Sequence, residues 1–556
     1  MANCETLLAE WSAFGPPVDP DEQAQFSMVR RRDIDDGAFG VAMSEALGNR
    51  PHALLPAFQG AFHDADGERF LILTLPQLTA ANTERLAFET ARCMMRVLPA
   101  ESVRPILIDS LVGEAVISRP RPGAAGEAIL PSCNTEDLGP GARGWAPFGL
   151  GVREAWKHNR GAGATIASID TGYSGHRQLD GVISRSKTQL NLVENDGNAT
   201  DRFSTNARMS NPGHGTLVMS VVASRGTVDA DAGTGGDDDV TGTAPDAEIL
   251  PIRAIRSVVD IRQSRIPAAI EHAVTQGCDV IVMALGSPFA IEPVEAALRR
   301  AAAAGVVTVC AAGNCFGPVV FPAKMAPLGL ATAVAAVDYA LQPWEKTSKG
   351  GEVTISAFGE AVWGAKKRAA TDSDTGVKAQ QGTTLATSLT AGVAALWVVR
   401  HGGRDALRAH ARARGTTVQK LFNECVQKSA HRPSGWPRGM GAGLLNAAAL
   451  LDFPLPTTSV PADVPLATDH VTPLKRFLPA TVGEADALGG LEAGGLDEAW
   501  AAEALWRFYQ ASARRRAESA GVKWPPADPS GPTGRSPSSS LRDALRDRPH
   551  LRALVL

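Results

Sequence analysis

Three short stretches of this chain carry the side chains of an acyl-transfer site: Ser168-Ile169-Asp170-Thr171-Gly172, Asn211-Pro212-Gly213-His214-Gly215-Thr216 and Gly382-Thr383-Thr384-Leu385-Ala386-Thr387-Ser388. An imidazole can take the proton of a hydroxyl nucleophile while a carboxylate orients and stabilises the ring. Asp170 closes the apolar run Ala164 to Ile169, and strand ends are where a parallel α/β sheet displays functional groups. His214 stands between two glycines, which leave the ring uncrowded, and opens the apolar run Leu217 to Ala223. Thr384 heads the apolar run Ala391 to Trp397, so its oxygen sits near the unsatisfied N–H groups of a helix start. A fourth block, Ala311-Ala312-Gly313-Asn314, follows another apolar strand and offers an amide donor. Such a donor to a tetrahedral oxyanion is worth about 3–4 kcal/mol in a protease. Singly, each block has an ordinary structural meaning: a strand-end turn, a core histidine, a capped helix, a Gly-Asn turn. The chemistry lies in their combination.

The elements that must position these residues follow from the texture of the chain. Residues 1–117 read as a separate α+β unit, with a strand at Phe70–Leu75, a helix from Asn82 to Leu98 and a strand at Pro105–Ile108. Residues 118–143, rich in Pro, Gly and Ala, read as a linker. From 144 to 453, apolar strands alternate with helical stretches: strands at 164–169, 279–285 and 306–310, and helices at Ile266–Gln276 and Val294–Ala304. That alternation predicts a mainly parallel sheet with helices on both faces. Residues 454–556 form a Pro- and Thr-rich spacer, a helix with Leu496, Trp500, Ala504 and Phe508 on one side, a stretch of disordered composition from Asp528 to Ser540, and a frayed tail from Leu541. The 496–508 helix would offer a docking surface for a partner.

Composition excludes several function classes. With 44% hydrophobic and 21% charged residues and a net charge of −4, the chain has no electrostatic footprint for nucleic acid. No continuous apolar run reaches the roughly 18 residues of a membrane span, and the start of the chain lacks the pattern of a secretory signal. The seven cysteines, odd in number and scattered without a CxxC pair, point away from a disulfide framework and from zinc. A reducing, cytoplasmic setting is the expectation.

The blocks together resemble the subtilisin-like proteases, the subtilases, whose chain order is aspartate, histidine, hydroxyl. Further blocks extend the resemblance: Trp145-Ala146-Pro147-Phe148-Gly149 with Glu154-Ala155-Trp156, Gly242-Thr243-Ala244-Pro245, Phe321-Pro322-Ala323, and Gly441-Ala442-Gly443-Leu444-Leu445-Asn446. It spans roughly residues 144–453 and implies an endopeptidase acting on peptides or unfolded protein. Asp170 would orient the imidazole, His214 would be general base and then acid, and Thr384 would hold the nucleophile position. Asn314 and the Thr384 N–H would form the oxyanion hole. Ala284-Leu285-Gly286 and Ala311-Ala312-Gly313 would hold an extended peptide and flank its main specificity pocket, with Cys315 near that pocket's rim. The amino-terminal unit would serve as a pro-region.

The departures from that family pattern are informative. Threonine replaces serine at 384, and Ser388 replaces a proline. The β-branch restricts χ1, and a nucleophile misplaced by 1 Å can lose about a hundredfold in rate. Ser388, about 6 Å further along the helix, does not substitute for it. The alternative reading is a pseudoprotease that binds peptide or acts as a scaffold without turnover. The resemblance also raises calcium, with Asp229, Asp231, Asp237, Asp238 and Asp239 near the histidine helix. Gln178 stands where an aspartate ligand is usual, so the expectation is a solvated acidic loop with no cofactor.

Overall fold

The computed structural model describes residues 4–106, 143–203, 211–226, 239–287, 291–314 and 319–458, apart from short gaps at 18, 80–83, 257 and 259–262. It also describes 503–504, 507, 537–546 and 552. Most of the linker and of the spacer, Cys315, four of the five loop aspartates and most of the 496–508 segment fall outside these residues; Glu503, Ala504 and Arg507 within that segment are helical.

The amino-terminal residues build a four-stranded antiparallel sheet with strand order β2-β3-β1-β4. Its strands are β1 (Gln23–Arg30), β2 (Ala53–Pro56), β3 (Phe70–Thr79) and β4 (Ala100–Ile106). Helices α1 (Glu5–Ser12), α2 (Asp36–Leu47) and α3 (Glu84–Val97) accompany them. Leu86, Ala91 and Met94 of α3 are buried, as their spacing predicts. Strand β4 begins well before the apolar run at Pro105, because its polar residues find partners: Glu101 pairs with Arg69, and Arg104 and Ser102 bind Glu292 at 2.7 Å each.

The cysteine reading is corrected here. Cys4, just before α1, and Cys93 on α3 form a disulfide with Cα atoms 5.9 Å apart and 89 residues of separation. An odd, scattered count conceals such a pair, because the sheet decides which helices become neighbours. Disulfides persist in oxidising surroundings, so cysteine usage no longer argues for a reducing compartment. Cys278, Cys310 and Cys425 are free, buried thiols, and burial pushes those of Cys278 and Cys425 up to about 12.

The following region is a seven-stranded sheet of order β11-β10-β9-β8-β5-β7-β6, parallel at every pairing. The strands are β5 (Thr165–Asp170), β6 (Leu190–Asn191), β7 (Glu248–Arg253), β8 (Val280–Met283), β9 (Val307–Ala311), β10 (Thr332–Val337) and β11 (Ile355–Phe358). Their residues are almost wholly buried, which is why they read as continuous apolar runs rather than alternating ones. Helices α4 (Trp145–Gly149) and α5 (Val152–Ala155) lead in. Then come α6 (His214–Ala223), α7 (Ile266–Thr275), α8 (Glu292–Ala303) and α9 (Thr383–Arg400). A hairpin, β12 (Val362–Ala365) with β13 (Val377–Gln380), precedes α9.

Helix α9 is long and apolar enough, by length and composition, to cross a membrane, yet 89% of it is buried in the protein. It packs on α6 and on strands β8 to β11, so it is the central core helix. The expected frayed tail is also corrected: Ser539–Leu545 is helical, with Leu541 and Leu545 buried and Ser538 donating to the buried Glu503.

The antiparallel sheet docks on α7 and α8 through charged groups. Glu271 accepts the backbone N–H of Gln59 at 2.8 Å and of Phe62 at 2.6 Å. Arg300 binds Asp64 at 2.7 Å and lies over the rings of Phe58 and Phe62. Arg265 and Arg256 reach Asp21 at 2.8 and 3.1 Å.

The disulfide tethers two helices at either end of the amino-terminal unit. Replacing Cys4 and Cys93 by serine in the full chain should destabilise that unit by about 2–4 kcal/mol. A denaturant titration followed by proteolytic cleavage within residues 4–106 would show it; an unshifted midpoint would mean that the two cysteines do not pair.

Candidate active site

Asp170 ends β5 and is fully buried, and its carboxylate accepts the N–H of Thr171 at 2.7 Å. His214 is the first residue of α6, and its Nδ1 lies 2.9 and 3.0 Å from the two Asp170 oxygens. That contact places the proton on Nδ1 and leaves the Nε2 lone pair facing outward. Thr384, in the first turn of α9, sits with Oγ1 3.3 Å from His214 Nε2. The hydroxyl therefore faces the imidazole despite the β-branch. Residues separated by 44 and 170 positions meet around one ring.

The glycines flanking His214 have a reason other than an open approach to the ring. At Gly213 φ is +79°, and a Cβ there would lie 1.7 Å from the carbonyl oxygen of Lys367. A Cβ on Gly215 would lie 2.0 Å from the carbonyl oxygen of Gly172. The backbone of the acid-bearing segment and that of the β12–β13 connection both press on the start of α6, so the glycines permit close assembly.

Asn314 follows β9, and its Oδ1 accepts both the N–H of Thr383 at 2.9 Å and the Thr383 hydroxyl at 2.7 Å. A carbonyl oxygen must face those donors, so the amide NH2 is left to donate elsewhere. It lies beside Gly382, within 3.2 Å of where a Cβ would stand. The N–H of Thr384, in the first turn of α9, has no intrahelical acceptor. Ser388 donates its hydroxyl to the Thr384 carbonyl at 2.8 Å, directed along the helix and away from the imidazole.

The two predicted substrate edges differ. Ala284, Leu285 and Gly286 follow β8, with the Gly286 N–H on the Val258 carbonyl at 3.3 Å. Ala312 has its N–H on Val334 and its carbonyl on Val320 N–H, both at 2.9 Å, and the Gly313 carbonyl accepts from Ser348 at 2.8 Å. With Ala311 as the end of β9, this second edge is a wall rather than a free pairing strand. Val320 fills the space between the edges: a Cβ on Gly286 would meet its Cγ2 at 2.2 Å, and one on Gly313 its Cγ1 at 3.0 Å.

A family model described as the subtilase family matches residues 161–443, just over half of the chain. The chain belongs to the subtilase family. It is 29% identical to subtilisin DY of Bacillus licheniformis over 281 residues, which is 49% of this chain and 91% of that protein. It is 33% identical to the major intracellular serine protease of Bacillus subtilis over 164 residues, 29% of this chain and 46% of that one. A solved protease from Pseudoalteromonas arctica aligns at 21% identity with a TM-score of 0.43, covering 55% of this chain and 93% of the other. This subtilase is accordingly a serine-type protease homologue with a subtilisin-like α/β sheet.

Several residues that complete this subtilase site carry no motif of their own. Thr383, adjacent to the nucleophile position, aims the Asn314 amide, and its hydroxyl was a visible signal. Thr171 and Arg253 hold the backbone around Asp170, and Asp201 sits in a loop without any pattern. The calcium reading meets a specific obstacle at Gln178. Its Oε1 already accepts the Ser224 hydroxyl at 2.6 Å and the Val240 N–H at 3.1 Å, tying together the two ends of the acidic loop. Asp239 is held by Arg177 at 3.1 Å. The oxygens of Gln178 and Asp239 are thus already engaged by protein donors, which leaves them poorly disposed to ligate a cation.

The unfolding midpoint of this subtilase should accordingly be the same in excess calcium and in excess chelator. A differential scanning measurement in both buffers checks this, and a rise of several degrees with calcium would contradict the role assigned to Gln178.

Proposed function

We propose that this subtilase is an endopeptidase that uses Thr384 as its nucleophile. The observation that carries the proposal is the 3.3 Å contact between Thr384 Oγ1 and His214 Nε2, with Asp170 behind the ring at 2.9 Å. His214 takes the hydroxyl proton as Oγ1 attacks the scissile carbonyl, and Asp170 stabilises the imidazolium. The charge that develops on the carbonyl oxygen falls to the Asn314 NH2 and the Thr384 N–H. The protonated ring then gives its proton to the leaving amine, and water releases the acyl group by the same steps in reverse.

The substrate is an extended peptide lying along Ala284-Leu285-Gly286, where it takes the Gly286 N–H from the Val258 carbonyl, with the preceding side chain directed between the two edges. Val320 occupies that space, so the preferred residue before the scissile bond is small, alanine or glycine. The amino-terminal unit is a pro-region that docks on α7 and α8; the Glu271, Arg300 and Arg265 contacts support this reading.

Two measurements test these statements. Thr384→Ser should raise kcat by between about threefold and a hundredfold, since it removes the methyl without moving the oxygen's attachment. A fluorophosphonate probe should label Thr384 in the native chain and not in His214→Ala. No labelling and no cleavage of an unfolded protein, with Thr384→Ser restoring both, would replace this reading by the peptide-binding one. Val320→Ala should increase kcat/KM for peptides with leucine or phenylalanine before the scissile bond by about tenfold relative to alanine. An unchanged ratio would remove Val320 from the pocket.

A further inference from the structure

Asp201 is buried, in the loop after β6, and three hydrogen bonds converge on its carboxylate. Oδ2 accepts the N–H of Gly213 at 2.7 Å and the hydroxyl of Thr171 at 3.0 Å, and Oδ1 accepts the N–H of Phe203 at 2.8 Å. Gly213 is the residue before His214, and Thr171 is the residue after Asp170. The Thr171 oxygen in turn accepts the N–H of Gly215 at 3.1 Å. One carboxylate oxygen thus bridges the segment that carries the acid and the segment that carries the base.

A second group supports the same assembly. Arg253, 1% exposed at the end of β7, donates to the Thr171 carbonyl and binds Glu194 at 2.8 and 2.9 Å. It lies 3.7 Å from Asp201 Oδ1. Burial pushes the Asp201 carboxyl above its usual range, so holding a charge there opposes folding rather than favouring it. An amide is not an equivalent: its oxygen can face Gly213 and Thr171, or Phe203, but its NH2 then meets a backbone N–H.

We propose that Asp201 is a positioning residue for the proton transfer, fixing the Asp170–His214 distance by joining Thr171 to Gly213. This rests on the assignment of Asp170 and His214 as acid and base. The acid and the base lie on different elements, a strand end and a helix start, and the bridge sets their separation independently of the core packing behind them.

The experiment combines kinetics with a readout that needs no turnover. Asp201→Asn in the full chain should lower kcat, normalised by active-site titration, by about tenfold to a hundredfold, with KM changed less than about twofold. The downfield proton resonance of His214 Nδ1–H, assigned by its loss in His214→Ala, should shift or broaden in the same variant. Thr171→Val should reproduce part of the loss, Thr171→Ser should restore it, and Thr171→Val added to Asp201→Asn should cost little more. Should Asp201→Asn fail to fold, the Thr171→Val and Thr171→Ser pair carries the test alone. If the native chain proves inactive, the resonance still decides, so failure of the nucleophile assignment and failure of this one are distinguishable. An unperturbed resonance and kcat in both Asp201→Asn and Thr171→Val would overturn the proposal, as would equal losses in Thr171→Val and Thr171→Ser.

Discussion

A buried imidazole governs this structure. His214 is 6% exposed, so each ring nitrogen must find a partner within the protein, and the two partners come from opposite ends of the sheet region. Asp170 takes the Nδ1 side and Thr384 the Nε2 side. The parallel sheet makes this possible because the carboxyl ends of its strands and the amino ends of its helices lie at one edge. Asp170 ends β5 and Asn314 follows β9, while His214 and Thr384 start α6 and α9. Helix α9 packs directly against α6, so the placement of Thr384 beside His214 follows from a helix–helix contact.

Around that ring the protein uses neutral hydroxyls and amides to aim the charged or reacting groups. Thr171 and Thr383 are each adjacent in sequence to a site residue, and each has its hydroxyl committed to orienting something else. Thr383 turns the Asn314 amide, and Thr171 links Asp201 to the start of α6. These links are short and internal, so they hold geometry at little cost in flexible side chains. The crossover helices α7 and α8 have a second use, because their outer faces receive the antiparallel sheet. Glu271 is buried beneath Gln59 and Phe62, where two backbone N–H groups satisfy it.

Much of the fold was legible because burial on both faces writes itself as apolar runs. Strands at 165–170, 280–283 and 307–311 and helices from Ile266 and near Val294 fall where the pattern indicated. The amino-terminal unit was legible at β3 and α3. It was not legible at β1 and α2, where Ser27 lies buried in a strand and the helix presents small residues around most of its circumference. The disulfide escaped because pairing depends on which helices a sheet brings together. The terminal helix Ser539–Leu545 escaped because a serine-rich approach to it reads as disordered, while Glu503 supplies the buried partner that anchors it.

The residue types alone determined that an acid, an imidazole, a hydroxyl and an amide stand at strand ends and helix starts, in subtilase order, with threonine in the third place. Those are local facts, carried by turn glycines and by apolar periodicity. Only the folded chain decided that the threonine oxygen faces the imidazole, that Val320 fills the space between two glycines, and that Gln178 occupies its oxygen with protein donors. It also decided that Asp201 joins Thr171 to Gly213. Each of these is a distance between segments far apart in sequence, set by sheet order and helix packing, and no spacing along the chain encodes it.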